Sequence, residues 1–188
     1  MPSSGNSIDD FVGRKLRGSG LTWSKRADRF TLIRRVYLDL LGLPPELDEL
    51  QRWSTSSDQH WYSKMVDHVL ASPRYGERWG RYWLDLAGYA DSEGGTSADP
   101  LRPVAWKYRD YVIRAFNADK PYNDFLTEQL AGDELLGQSQ VTTITNETVD
   151  SLIATGFLRM GPWEQTGMSV EAVNRQLFLD DVTDSVGQ

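Results

Sequence analysis

Helix punctuation recurs along the whole of this chain while the alternation of a strand is scarce, which confines it to an all-α fold. Ser7 can cap a first helix carrying Ile8, Phe11, Val12 and Leu16 on one side, with Gly18 and Gly20 ending it. Ser24 or Asp28 opens a second, in which Phe30, Ile33, Tyr37, Leu40 and Leu41 keep three-and-four spacing until Gly42, Pro44 and Pro45 stop it. Pro45 then starts a short third helix to about Trp53, and Asp58 caps a fourth with Trp61, Met65, Val66, Val69 and Leu70 inward. Ser72 followed by Pro73 is the cleanest start signal, because Ser supplies an acceptor and Pro costs no needed donor in the first turn. A helix follows, to about Tyr89.

A polar, Gly-rich loop, DSEGGTSADP, separates that helix from the next, which resumes after Pro103 with Trp106, Tyr108, Tyr111, Val112, Ile113 and Phe116. Asn117 is expected to cap its end, and Pro121 to restart a helix through Leu130 that Gly132 stops. ValThrThrIleThr at 141–145 has the composition of an isolated extended piece, and the polar stretch from 132 to 145 is compatible with disorder. Asn146 or Thr145 caps a helix with Val149, Leu152 and Ile153, Gly156 and Gly161 break the chain, and Ser169 opens a last helix with Val170, Val173, Leu177, Phe178 and Val182. The expectation is a single, non-repetitive helical bundle over residues 8–188, preceded by a disordered tail at 1–7, and 188 residues suffice for one full core.

Charge narrows the partners. The net charge is -7, with 13 Lys+Arg against 14 Asp+Glu in residues 1–100 and 7 against 13 in residues 101–188. Such a chain repels phosphate backbones, so nucleic acid is not expected as a partner. The basic residues Arg14, Lys15 and Arg17, and Lys25 to Arg35, are interrupted by acids and apolar residues, as on a solvated helix face. No run has the length of a membrane span, and MPSSGNSIDD lacks the regions of a signal peptide. There are no cysteines, so thiolate metal sites are excluded.

No catalytic motif is present. His60 and His68 have no partner acid at metal-ligand spacing, and neither GxSxG nor GxxxxGK occurs. The acids Asp85, Asp91, Glu93 and Asp99 surround the Gly-rich loop, and Asp85, Asp91 and Asp99 are the candidate ligands for a hard cation such as calcium or magnesium. The alternative is that Asp85 pairs with Arg81 or Arg78 and that Asp91 and Asp99 make turn hydrogen bonds. Tyr75, Trp79 and Tyr82 lie at helical spacing beside Trp83, with Trp106, Tyr108 and Tyr111 across the loop. These rings either stack a sugar or planar ligand or form the core of a helix pair. Arg74, Arg78 and Arg81 flank the stripe, placed to stack on it or to pair with Asp85 and Asp110. Candidate ligand contacts are Arg78, Trp79, Trp83, Trp106 and Arg109.

The strings RYGERW, WLDLAGYADS, RPVAWKYRDYVIRAFNADKPYNDFLTEQLAGDEL and ATGFLRMGPW resemble the planctomycete cytochrome-associated domain of unknown function, from about Ile8 to the end. The resemblance implies an exported multidomain protein, hence an extracytoplasmic setting, with partners among the other domains of its parent. It also implies a CxxCH haem-attachment motif shortly after Asp184, so haem c is expected only downstream of Gln188 and no cofactor within these residues. Departures from the family pattern are Gly88 where Arg is common, Val104 where Asn is common and Lys107 where Arg is common. The family implies a structural or interaction role with no established catalytic residue; the competing expectation is a polysaccharide-binding or hydrolytic module using the loop carboxylates and tryptophans.

Overall fold

The computed structural model describes residues 6–94, 99–138, 145–163 and 170–187. The described residues form nine α-helices and one 3₁₀ turn: α1 Ser7–Gly18, α2 Arg29–Leu41, α3 Leu47–Thr55, α4 Trp61–Leu70, α5 Arg74–Leu86, α6 Ala105–Asn117, α7 Tyr122–Gln138, α8 Asn146–Ala154, the 3₁₀ turn Thr155–Arg159, and α9 Glu171–Gly187. No strand occurs among them; a single antiparallel bridge joins Ser92 to Leu101. The all-α expectation is met. Of the tail expected at 1–7, residues 1–5 lie outside the described residues while Asn6 caps and Ser7 opens α1; of the extended piece expected at 141–145, residues 141–144 lie outside and Thr145 instead caps α8; Ser169 also lies outside.

Local signals set most helix ends. Asp28 accepts hydrogen bonds from the Thr31 amide at 2.9 Å and the Thr31 hydroxyl at 2.8 Å, which holds its carboxyl below the usual carboxylate range. Gly42 closes α2 in the left-handed region, φ 72°. At α8, Thr145 and Thr148 bond reciprocally in a capping box. Several expected caps move by a residue or two: Asn6 rather than Ser7 accepts from the Ile8 amide, and α3 begins at Leu47 rather than Pro45. Asp58 bonds the His60 amide just ahead of α4 instead of capping it.

One expectation fails and another is met only in part, both for long-range reasons. Asn117 does not cap its own helix: its side chain accepts from the Gly76 amide at 2.7 Å and donates to the Pro73 carbonyl at 3.0 Å, closing the N-terminus of α5 instead. A helix start leaves several amides without partners, so this satisfies one of them from across an interface. The helix expected to run through Leu130 does break there, Ala131 leaving helical geometry (φ -145°, ψ 26°), but a second helical stretch then carries α7 on to Gln138. A Cβ at Gly132 would stand 2.0 Å from the Ser151 carbonyl oxygen, so glycine is required there by the approach of α8.

Two buried clusters result. Ile33, Val36, Tyr37, Trp53, Met65 and Val69 form one between α2, α3 and α4, where the Trp53 indole donates to the Tyr37 hydroxyl at 3.0 Å. Tyr108, Tyr111, Val112, Ala115, Phe125, Ala154, Phe157 and Met160 form the other, among α6, α7, α8 and the 3₁₀ turn. Helix α5 touches both, through Trp79, which donates to the Leu40 carbonyl at 3.1 Å, and through Gly76 and Gly80, whose bare backbone lies against α6.

That seam yields a test against helix propensity. Ala in place of Gly inside a helix normally gains roughly 1 kcal/mol, but a Cβ at Gly76 would sit 2.4 Å from the Ile113 carbonyl oxygen. Urea unfolding of Gly76→Ala is expected to show a loss of about 3 kcal/mol or more. Gly80→Ala, whose new methyl would meet the Val112 side chain at 3.3 Å, is expected to lose about 1 kcal/mol or less.

Candidate functional site

The chain between α5 and α6 folds back on itself around one buried ion pair. The Glu93 amide donates to the Pro100 carbonyl at 3.0 Å and the Arg102 amide to the Asp91 carbonyl at 2.8 Å, so the two limbs of the loop run side by side. The Arg102 side chain, 8% exposed, donates to Glu93 at 2.9 Å and to the Met160 and Gly161 carbonyls at 2.9 and 2.6 Å. Its Nε is buried and, among the described residues, has no hydrogen-bond partner. The Trp163 amide donates to the Glu93 carbonyl at 3.0 Å, and Arg159 approaches the Glu93 carboxylate at 3.3 Å while lying over the Trp163 and Phe178 rings. Glu93 thereby locks the loop to the end of the 3₁₀ turn and, through Arg159, to α9.

Beside this clamp lies a groove of about 440 Å³ between the loop exit and α6 on one side and α8 with the 3₁₀ turn on the other. Its apolar walls are Leu101, Val104 and Ala105 facing Leu152, Ile153 and Met160, with Tyr108 and Gly156 between them. Leu101, Val104 and Leu152 are 78%, 60% and 52% exposed, a concentration of apolar surface around one concavity. Its charged lining is Glu93, Arg102, Lys107 and Arg159.

The sequence-derived candidates fall on both sides of the protein surface. Trp83 is half-buried against the core: its indole donates to the Tyr108 hydroxyl at 3.0 Å and to Gln129 Oε1 at 2.9 Å, and its ring packs on Phe125 and Phe157. Gln129 is fully buried and satisfied, accepting from Tyr108 at 2.5 Å and donating to the Phe125 carbonyl at 3.2 Å. Burial in this network pushes the Tyr108 hydroxyl well above the usual tyrosine range. Trp79 is tied to α2, and Arg78 packs along the backbone at Gly42 with its guanidinium 5.5 Å from the Tyr82 ring centroid. Trp106 is 47% exposed and donates to the Pro103 carbonyl at 3.2 Å. Arg109 pairs with Asp110 at 2.9 Å, which raises its pKa.

Each of the candidate carboxylates has a partner of its own. Asp85 pairs with Arg81 at 3.7 Å on the surface of α5. Asp91 accepts from the Tyr89 hydroxyl at 2.6 Å, and burial together with that bond pushes the tyrosine up to about 12. Asp99 accepts from the Ser92 hydroxyl at 3.0 Å and the Gly94 amide at 2.8 Å. Among the described residues no group of three or more His, Asp or Glu is arranged to hold a metal ion. His68 bonds Glu49 at 3.0 Å and lies against Trp53, in the other cluster. Sequence reasoning named Glu93 only as one acid of a loop cluster and passed over Arg102 and Arg159, although the RPVAW string begins on Arg102.

A family model matches residues 7–188. The chain belongs to the PSCyt2 family, protein of unknown function (DUF1549). No curated protein and no solved structure matches it. Membership in this family covers every element described above, from α1 to α9, so the clamp and the groove both lie within the matched region. No helix among the described residues is long and apolar enough to cross a membrane.

The clamp predicts a specific asymmetry. Glu93→Gln leaves a guanidinium that is 8% exposed with carbonyl partners alone, and urea unfolding is expected to show a loss of about 3 kcal/mol. Arg159→Gln removes a partner that is 45% exposed and is expected to cost less than about 1 kcal/mol. Equal losses would contradict the assignment of Arg102 and Glu93 as the buried pair.

Proposed function

We propose that this chain is a structural or interaction module of an exported, cytochrome-associated multidomain protein, and that the groove beside the Glu93 clamp is where it holds a neighbouring polypeptide. The observation that carries the reading is the groove itself: about 440 Å³, walled by aliphatic side chains of which Leu101, Val104 and Leu152 stay largely exposed. Concave apolar surface of this kind marks a binding site when it is contiguous, whereas scattered exposed leucines do not.

The chemistry of the groove also favours binding over catalysis. Among the described residues its lining holds no serine, cysteine or histidine, and the one acid there, Glu93, is bonded to two arginines. The link to export and to a cytochrome is supported by the resemblance of RYGERW, WLDLAGYADS and ATGFLRMGPW to proteins of that architecture.

Hydrogen exchange tests the proposal. In a polypeptide that carries this domain together with its cytochrome and further domains, amides of residues 101–107 and 152–156 are expected to exchange at least about tenfold more slowly than in the 188-residue chain alone. Equal rates in the two would remove the docking role.

A further inference from the structure

We propose that the groove takes an amphipathic helix whose apolar face is edged by carboxylates, a conclusion that rests on the docking reading and specifies the chemistry of the partner. Charge is the first reason. The chain as a whole carries -7, yet the groove is lined by three cations, Arg102, Lys107 and Arg159, against the single acid Glu93. Glu93 lies 2.9 Å from Arg102 and 3.3 Å from Arg159, so one carboxylate is shared between two guanidinium groups. Lys107 lies 5.9 Å from the Trp106 ring centroid and, among the described residues, pairs with no carboxylate. Local positive charge on an otherwise acidic protein attracts an anionic partner and repels cationic ones.

Shape is the second reason. A small amphiphile is usually enclosed over most of its surface, whereas here the rim residues Leu101, Val104 and Leu152 remain 78%, 60% and 52% exposed. A helix laid in an open groove buries such a rim with side chains at i, i+3, i+4 and i+7 and leaves its far face in water. Acids at the edges of its apolar stripe then meet Lys107 and Arg159, both of which present charge at the surface: Arg159 is 45% exposed, and Lys107 is exposed too.

The test uses the full 188-residue chain and labelled peptides of about sixteen residues with leucines at i, i+3, i+4 and i+7, edged by glutamate in one and lysine in the other. Fluorescence anisotropy at low salt is expected to show saturable binding of the glutamate peptide, about tenfold tighter than the lysine peptide. Lys107→Glu, on the exposed face of α6, is expected to shrink or reverse that preference, and Val104→Asp to abolish binding of both. Equal affinity for the two peptides, with Val104→Asp still abolishing both, would overturn the anionic partner while leaving the docking site in place. Absence of saturable binding, or binding indifferent to Val104→Asp, would overturn the partner and the docking site together.

Discussion

The contact on which the rest of this protein depends is that between two helix backbones, α5 and α6, with no side chain between them on the α5 side. Gly76 and Gly80 sit one turn apart, and any side chain at Gly76 would collide with the Ile113 carbonyl. The close approach puts Asn117, at the end of α6, within reach of the Gly76 amide and the Pro73 carbonyl. One end of α6 is thus fixed on the first turn of α5. With that register set, Trp83 reaches Tyr108 and Gln129, and the buried aromatic cluster closes around a polar centre in which these three side chains bond one another.

The other end of α6 is fixed by the loop. Arg102 precedes the helix by three residues and is anchored to Glu93 and to the carbonyls of Met160 and Gly161. A buried ion pair is weak evidence for net stability, because desolvation of both charges offsets most of their attraction. Its effect here is positional: it holds Leu101 and Val104 opposite Leu152 and Ile153, and the groove is the space left between them. Seam and clamp together make that groove a property of the fold, formed by helix ends that are held from two directions.

What was legible in the sequence was whatever depends on neighbours in the chain. Asp28, Gly42, the Ser72 and Pro73 start and the Thr145 cap are local signals, and helices form where they point. Asn117 carried the same kind of local signal and was misassigned, because its decisive partner, Gly76, lies 41 residues away; the break expected at Gly132 occurs at Ala131, but the close approach of Ser151 on the facing helix was not legible. Aromatic spacing correctly indicated a helix-pair core for Trp83 and Tyr108 but did not separate the half-exposed Trp106 from them. The loop acids drew attention to the right region, yet Glu93 became central only once Arg102 and Arg159, 9 and 66 residues away, were brought to it. A recoverable signal was the Gly76 and Gly80 pair: two glycines one turn apart inside a strong helix pattern indicate a close helix contact.

The most direct measurement on this account is native-state hydrogen exchange of the Gly76 amide. It lies in the first turn of α5, where an amide ordinarily lacks a partner and exchanges freely. Because Asn117 accepts its proton at 2.7 Å beneath the α5–α6 contact, the amide is predicted to exchange only through global unfolding, and Asn117→Ala is predicted to release it. Exchange in the wild type at the rate of a frayed helix end would contradict the seam, and with it the positioning of everything built on α6.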